Sequence, residues 1–159
     1  MFFEKKSLQT MRIALIQPEI PQNVGAILRL SVCLGVNVDL IGPMGFVLSN
    51  KRLKRAGMDY IDLARITHFD SLEHFLRDNK GRLLLFTTQG DVGAYDFTFA
   101  EGDVLAFGSE SMGAPALAHS SAAARLALPM CEGARSLNLA TAAALALGEA
   151  LRQTGGLPA

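Results

Sequence analysis

The chain has 159 residues, half of them hydrophobic and 19 % charged, and its formal net charge is zero. This length and composition indicate one globular domain and exclude a disordered chain, while the zero net charge argues against a uniformly basic nucleic-acid binder and leaves a local basic patch open. Because there are only two cysteines and no signal peptide, we expect a cytoplasmic protein without a disulfide framework.

The first third of the chain alternates strand and helix patterns. Residues 1–11 fit neither period and are expected to form an N-terminal extension, which leaves residues 12–159 as the folded domain. The apolar run Arg12–Ile16 predicts a strand that ends at a loop with two prolines. Asn23 is a favourable N-cap for the helix that follows, and Gly35 is expected to end that helix.

The middle of the chain adds two strands and a helix. The strands are predicted over residues 36–41 and 63–67. Asp70 and Glu73 have the spacing of a capping box, and they predict a helix that continues to Asn79.

Between these two strands lies a basic segment. Ser49 or Asn50 is expected to cap a short helix that carries four basic residues, Lys51, Arg52, Lys54 and Arg55. On a helix, Lys51, Lys54 and Arg55 share one face by their i, i+3, i+4 spacing. That face is either a solvated surface or a patch for phosphate groups.

The second half of the chain continues the alternation. Strands are predicted over residues 82–88, 103–107 and 125–128, a short helix begins near Pro115, and a last helix runs from residue 136 to 153. Six strands alternating with helices predict a single-domain α/β fold with a mainly parallel six-stranded sheet.

The last helix is apolar on nearly every side. From Leu139 to Leu147 only Thr141 is polar, so the helix must be covered on two faces. We expect one face on the chain's own sheet and the other on a second subunit, and the alternative is a core helix of a monomer. The apolar run is shorter than the roughly 20 residues that a membrane span requires.

The loops at the carboxyl ends of the strands are the candidate ligand site of such a sheet. Gly108 lets a ligand reach backbone groups, and Ser136 and Asn138 open the last helix with its free N–H groups. Glycines more often only form turns, and Ser136 and Asn138 are also plain helix caps. Glu110 is either a general base or a capping carboxylate.

Signatures of several other chemistries are missing. Neither a G-x-G-x-x-G after the first strand nor a G-x-x-x-x-G-K-[ST] phosphate loop is present. His68, His74 and His119 are scattered and no cysteine pair has ligand spacing, so we expect no metal. Ser109 replaces the glycine that would precede a nucleophilic Ser111 in G-x-S-x-G, which disfavours a serine hydrolase.

Three stretches together resemble a known family. They are PEIPQNVGAILR at 18–29, FGSESMGAP at 107–115, and LPM at 128–130 with RSLNL at 135–139. In content, order and spacing they resemble the three motifs of SpoU-type RNA 2′-O-methyltransferases of the SPOUT superfamily. Within that group the chain most resembles the short TrmL (YibK) type, which methylates the wobble nucleotide, a cytidine or modified uridine, of certain tRNAs.

The resemblance implies a SPOUT fold, in which the C-terminal part forms a deep trefoil knot that binds S-adenosyl-L-methionine within a homodimer. Arg29 then corresponds to the catalytic arginine. The residues expected to contact the methyl donor are Phe86, Gly108, Leu128 and Ser136. Those expected to bind tRNA or to support the site are Asn23, Glu110, Asn138, Lys51, Lys54 and Arg55.

Three positions depart from the family pattern. Met112 stands where many relatives have arginine, Gln89 where a lysine is common, and Gly148 where an aromatic residue is common. Each replacement removes a possible RNA contact. They motivate an alternative in which the chain keeps the fold as a non-catalytic RNA-binding protein, and a third alternative is a hydrolase or small-molecule methyltransferase that needs no RNA.

Overall fold

A computed structural model describes residues 10–49, 51 and 64–159 of the chain. Its strands are β1 (Arg12–Ile16), β2 (Asn37–Ile41), β3 (Ile66–Phe69), β4 (Leu83–Phe86), β5 (Val92–Gly93), β6 (Val104–Phe107) and β7 (Ala124–Ala127). Its helices are α1 (Pro21–Leu34), α2 (Leu72–Asp78), α3 (Ala116–Ser121) and α4 (Leu139–Thr154), with a 3-10 turn over Ala94–Asp96.

The described strands form one sheet in the order β3-β2-β1-β6-β4-β7-β5, and every neighbouring pair is parallel. The predicted α/β class with a parallel sheet is therefore confirmed. The predicted count of six strands was wrong, because β5 makes a seventh. This strand is only two residues long and contains a glycine, so it has no periodicity that a sequence pattern could reveal.

The two faces of the sheet are covered by different helices. Ile13 and Leu15 of β1 point into a core that α1 and α4 close, whereas Ala14 and Ile16 point to a second core with α2 and α3. This follows from the alternation of side chains along a strand. All residues of β4 and β6 are buried, as expected for central strands covered on both faces.

The start of α1 differs from the prediction. The helix begins at Pro21, two residues before the predicted cap, and Ile20 is the N-cap without a side-chain hydrogen bond. Proline suits this first position because it has no N–H to leave unpaired. Asn23 therefore lies within the first turn, which frees its amide for another role. The predicted end at Gly35 is confirmed, with φ of 72°.

Other predicted boundaries also differ. Helix α4 begins at Leu139 rather than at residue 136, and β4 spans Leu83–Phe86 rather than 82–88. The third strand runs from Ile66 to Phe69 rather than over 63–67. The cap of α2 is Ser71 and not Asp70, since the Ser71 hydroxyl accepts the N–H of His74 at 3.1 Å. These differences are shifts of a few residues. The cap of α2 was misassigned because Asp70 and Ser71 are adjacent and both are favourable cap residues.

Within the described part of the chain, helix α4 is covered on one side only. Ala143, Ala146 and Leu147 are buried in the chain's own core, while Ala144 and Leu145 point outward and Leu145 is 42 % exposed. Asn138 caps the helix by accepting the N–H of Thr141, as the sequence suggested. No helix in the described residues has the length and apolar character needed to cross a membrane.

Part of the predicted extension and of the basic segment lies outside the described residues. This applies to residues 1–9 and to Arg52, Lys54 and Arg55. Lys51 is described, and its side chain is exposed.

Candidate functional site

A cavity of about 630 Å³ opens at the carboxyl ends of β4, β6 and β7. This is the edge at which ligands of parallel α/β sheets bind, and the volume is in the range of small-molecule sites. Its wall consists of residues 86–89, 107–114 and 135–139, together with Ile20, Asn23, His119, Leu128, Met130 and Ala142. All three motif stretches found in the sequence contribute to this wall.

The four residues predicted to contact a methyl donor, Phe86, Gly108, Leu128 and Ser136, all line this one cavity. Phe86 and Phe107 end adjacent paired strands, and their rings stack with centroids 5.1 Å apart and an interplanar angle of 14°. The rings form an apolar part of the wall. The structure thus brings together residues from three loops, and their contact with a donor stays a prediction.

Gly108 is required by the backbone itself. A Cβ atom at this position would lie 2.2 Å from the amide nitrogen of Ala114 and 2.3 Å from the carbonyl carbon of Gly113. The loop closes on Gly108 because Ser109 and Gly113 exchange two backbone hydrogen bonds, of 3.1 and 3.0 Å. The sequence suggested that glycine gives a ligand access to the backbone, and the structure adds that the loop itself leaves no room for a side chain.

Glu110 holds the start of α1. Its carboxylate accepts the backbone N–H of Glu19 at 2.8 Å and that of Ile20 at 3.3 Å. It also accepts the side-chain amide of Asn23 at 3.3 Å. Since an anion at a helix N-terminus interacts favourably with unpaired N–H groups, this geometry favours the capping carboxylate over the general base that the sequence also left open.

Asn23 joins Glu110 to the third motif. The side-chain amide of Asn138 donates to the Asn23 carbonyl oxygen at 3.0 Å, and Asn138 at the same time caps α4. Asn23, Glu110 and Asn138 were predicted as supporting residues, and the structure places all three in one hydrogen-bond network at the cavity wall. The network connects one residue from each motif.

A second contact between motifs was not predicted. The Ser111 hydroxyl donates to the Glu19 carboxylate at 2.6 Å. Hydrogen bonds from Ser111 and Ser109 lower the pKa of Glu19, which keeps this carboxylate charged. The two loops thus hold each other reciprocally, because Glu110 binds the backbone at Glu19 and Glu19 binds Ser111. No local sequence signal indicates a contact between residues 92 positions apart.

Arg29 lies on the exposed side of α1 and is not part of the cavity wall. The structure therefore separates the predicted catalytic arginine from the predicted donor-binding residues. Of the three predicted tRNA-binding residues in the basic segment, Lys51 is the one within the described residues, and it too lies outside the cavity wall.

Several wall residues had no predicted role. They include Thr87, Thr88, Ile20, Met130, His119 and Arg135. Met112, one of the three departures from the family pattern, is 84 % exposed at the cavity. Among the described residues, no group of three or more His, Cys, Asp or Glu side chains is arranged to hold a metal ion.

Comparisons with known proteins agree with these features. The tRNA (cytidine(34)-2′-O)-methyltransferase of Ancylobacter novellus is 47 % identical over 150 residues, which cover 92 % of this chain and 95 % of that protein. The protein of the same name from Escherichia coli K12 is 38 % identical over 148 residues, with 91 % and 94 % coverage.

Solved structures show the same fold. One, described as "Structural insights into the 2-OH methylation of C/U34 on tRNA", has a TM-score of 0.85 and 41 % identity, and the match covers 91 % of this chain and 95 % of that one. An AdoMet-bound rRNA methyltransferase from Sinorhizobium meliloti has a TM-score of 0.82 and 26 % identity, with 92 % and 57 % coverage.

The resemblance that the three motifs suggested is confirmed by these relatives. The model of the SpoU rRNA Methylase family matches residues 10–148, which include the three motifs and every residue of the described cavity wall. The chain belongs to the SpoU rRNA methylase family.

Proposed function

We propose that this protein transfers a methyl group from S-adenosyl-L-methionine to the ribose 2′-hydroxyl of the wobble nucleotide of certain tRNAs, a cytidine or modified uridine at position 34. The observation that carries the proposal is the cavity at the carboxyl edge of the sheet, to which all three motif stretches contribute. Relatives named for this reaction match over nine-tenths of the chain, and a structure concerned with C/U34 methylation has the same fold.

The cavity suits the methyl donor in size and in the character of its wall. The stacked rings of Phe86 and Phe107 offer an apolar surface, and the close-packed loop at Gly108 offers backbone groups. A related rRNA methyltransferase is known with AdoMet bound. We infer that Phe86, Gly108, Leu128 and Ser136 hold the donor, which supplies an electrophilic methyl group on a positively charged sulfur atom.

The protein's contribution to the reaction is mainly positioning. Attack by a ribose hydroxyl on a methyl group requires an in-line approach, and holding two reactants in the right geometry lowers the barrier without a covalent intermediate. The network of Glu110, Asn23 and Asn138 fixes the three motif loops relative to one another. Because Glu110 is occupied by the start of α1, we assign it a supporting role and not that of a proton acceptor.

Arg29 is proposed to act on the RNA. A guanidinium stays protonated in proteins, so it cannot remove the proton of the hydroxyl group. Its exposed position outside the donor cavity fits a residue that binds the neighbouring phosphate and stabilises negative charge on the ribose oxygen. The hydroxyl proton then leaves to that phosphate or to water. Lys51, Lys54 and Arg55 are proposed to bind other phosphates of the same tRNA.

A second copy of the chain is proposed to cover α4. The inner face of this helix is buried, whereas Leu145 on the outer face remains accessible beside alanines. Burying such a face against its own copy removes apolar surface from water. The homodimer is expected to work in the cytoplasm, where it meets tRNA.

We also propose that the C-terminal part forms the trefoil knot of SPOUT proteins. Strand β7 lies beyond β4, yet the following helix α4 returns across the sheet to contact β6 and α1. The segment that connects β7 to α4 runs along the carboxyl edge of the sheet, where it forms part of the cavity wall. This path supports a threaded chain.

Incubation with labelled S-adenosyl-L-methionine and bulk tRNA tests the proposed function. Wild-type protein should incorporate label, Arg29→Ala should lose incorporation, and Arg77→Ala on α2 should behave like wild type because α2 covers the opposite face of the sheet. tRNA binding without incorporation by the wild-type protein would instead indicate a non-catalytic RNA-binding protein. Methyl transfer in the absence of RNA would indicate a small-molecule methyltransferase.

A further inference from the structure

His119 on α3 lines the same cavity, although none of the sequence motifs includes it. Among the described wall residues, the only titratable side chains are Glu110, His119 and Arg135. The Glu110 carboxylate already accepts the backbone N–H of Glu19 before the start of α1. His119 is half-buried, and its surroundings favour one of its two neutral tautomers.

The ring of His119 is oriented by an ion pair. Arg125 of β7 donates from Nε and Nη2 to the two carboxylate oxygens of Asp91, each at 2.8 Å. Its remaining terminal nitrogen, Nη1, faces Nδ1 of His119 at 3.5 Å. A guanidinium can only donate, so this contact favours the tautomer of a neutral imidazole in which Nδ1 accepts and Nε2 carries the proton.

The other ring nitrogen of His119, Nε2, is available for a ligand. Within the described part of the chain it has no hydrogen-bond partner, and Nε2 is not among the buried atoms that lack one. Nε2 is therefore accessible to solvent, and the residue that carries it lines the cavity. A ligand that displaces water from this wall must replace the lost hydrogen bond, or binding is weakened.

We propose that His119 binds the methyl donor, with Nε2–H donating a hydrogen bond to an acceptor atom of S-adenosyl-L-methionine. Arg125, held by Asp91, is the positioning residue that sets this tautomer. The inference rests on the proposed function, because the ligand is the methyl donor of that reaction. The acceptor is either an atom of the nucleoside or the carboxylate of the amino-acid part, and two ligands distinguish them.

The test is calorimetric titration of the full chain with S-adenosylhomocysteine and with 5′-methylthioadenosine, which lacks the amino-acid part. His119→Leu keeps the bulk of the side chain and removes the donor, so it should weaken S-adenosylhomocysteine binding about 3- to 10-fold. His119→Gln keeps an N–H donor and should bind within about twofold of wild type, as one retained hydrogen bond implies. His68→Ala, exposed on the edge strand β3, is the control and should bind as wild type does.

The two ligands identify the acceptor. Weaker binding of both ligands by His119→Leu places it in the nucleoside, whereas weaker binding of S-adenosylhomocysteine alone places it in the carboxylate. Arg125→Met should give a smaller loss than His119→Leu, because the imidazole remains but is no longer oriented. In turnover, His119→Leu should raise KM for the donor and leave KM for tRNA unchanged.

Two results overturn the inference. One is equal affinity of His119→Leu and wild type for both ligands, and the other is a folded His119→Gln that binds as weakly as His119→Leu. Thermal melting shows whether each variant is folded. Wild-type protein that binds neither S-adenosyl-L-methionine nor its product would contradict the proposed function itself, and so the two failures are distinguishable.

Discussion

The side-chain amide of Asn138 donates a hydrogen bond of 3.0 Å to the side-chain oxygen of Asn23, 115 positions earlier in the chain. Asn23 in turn donates to Glu110. One amide side chain thus links the start of α1, the loop after β6 and the cap of α4. We expect the arrangement of the cavity to depend on this link, because each of these segments forms part of its wall.

Replacing Asn23 by alanine should disturb the cavity more than the fold. The substitution leaves Glu110 and Asn138 without one partner each, which should lower the free energy of unfolding by about 1–2 kcal/mol and weaken donor binding. The neighbouring Gln22→Ala is the matched control, since Gln22 is exposed on the same helix turn. Chemical denaturation measures the free energy of unfolding, and calorimetry measures donor affinity. Equal values for Asn23→Ala and Gln22→Ala would show that the Asn23 hydrogen bonds do not hold the cavity together.

Gly108→Ala tests the close packing of the loop after β6. The added Cβ would lie 2.2 Å from the Ala114 nitrogen, so residues 108–114 must shift and both donor affinity and thermal stability should fall. Gly45→Ala is the control, because nothing lies within 4 Å of a Cβ atom there. A Gly108→Ala protein that melts and binds the donor like wild type would show that the loop has room to adapt.

Leu145→Glu tests the outer face of α4. A charge at this exposed position should leave the chain folded but prevent association, because an unpaired charge is costly in an apolar interface. Ala143 and Ala146 are unsuitable for this test, since both are buried in the chain's own core and a charge there should unfold it. Leu157→Glu, near the C-terminus, is the control. Sedimentation should give a dimer for wild type and Leu157→Glu and a monomer for Leu145→Glu, and a monomeric wild type would contradict the proposed interface.

Glu149 should make the free energy of unfolding depend on pH below 4.5, the ordinary pKa of a glutamate side chain. The hydrogen bond from Arg152, followed by that from Gln153, lowers the pKa of Glu149 from 4.5 to about 2. A carboxyl group with a lowered pKa in the folded state stabilises that state above pH 4.5, and this contribution is lost as the pH falls towards 2. The difference in unfolding free energy between wild type and Glu149→Gln should therefore shrink over this interval. A constant difference for Glu149→Gln would contradict the assignment.

The elements that the sequence predicted well are those with strong local patterns. Strand β1 has the predicted bounds because its apolar run is continuous, and α4 has its cap at Asn138 and its end near Gln153 as expected. Strand β5 was missed because two residues carry no period. Asn23 was misplaced as a cap because an asparagine near a helix start satisfies the cap rule whether or not its side chain turns to a distant partner.

The candidate site was predictable to the extent that it follows from topology and motifs. The rule that ligands bind at the carboxyl ends of parallel strands indicated the loops after Phe86, Phe107 and Leu128. The reciprocal contacts of Glu19 and Glu110 and the orientation of His119 by Arg125 were not predictable, because they join residues from separate elements. Such contacts depend on the path of the chain in space, and the local periodicity of the sequence does not indicate that path.

The position of the methyl group on the tRNA is the most direct test of the proposed function. Purified protein is incubated with S-adenosyl-L-methionine and unmodified tRNA, and nuclease fragments are analysed by mass spectrometry beside a reaction with Arg29→Ala. We expect a 2′-O-methyl group on nucleotide 34 of a subset of tRNAs with wild type and none with Arg29→Ala. A methyl group on a base or at another nucleotide, or equal methylation by Arg29→Ala, would contradict it.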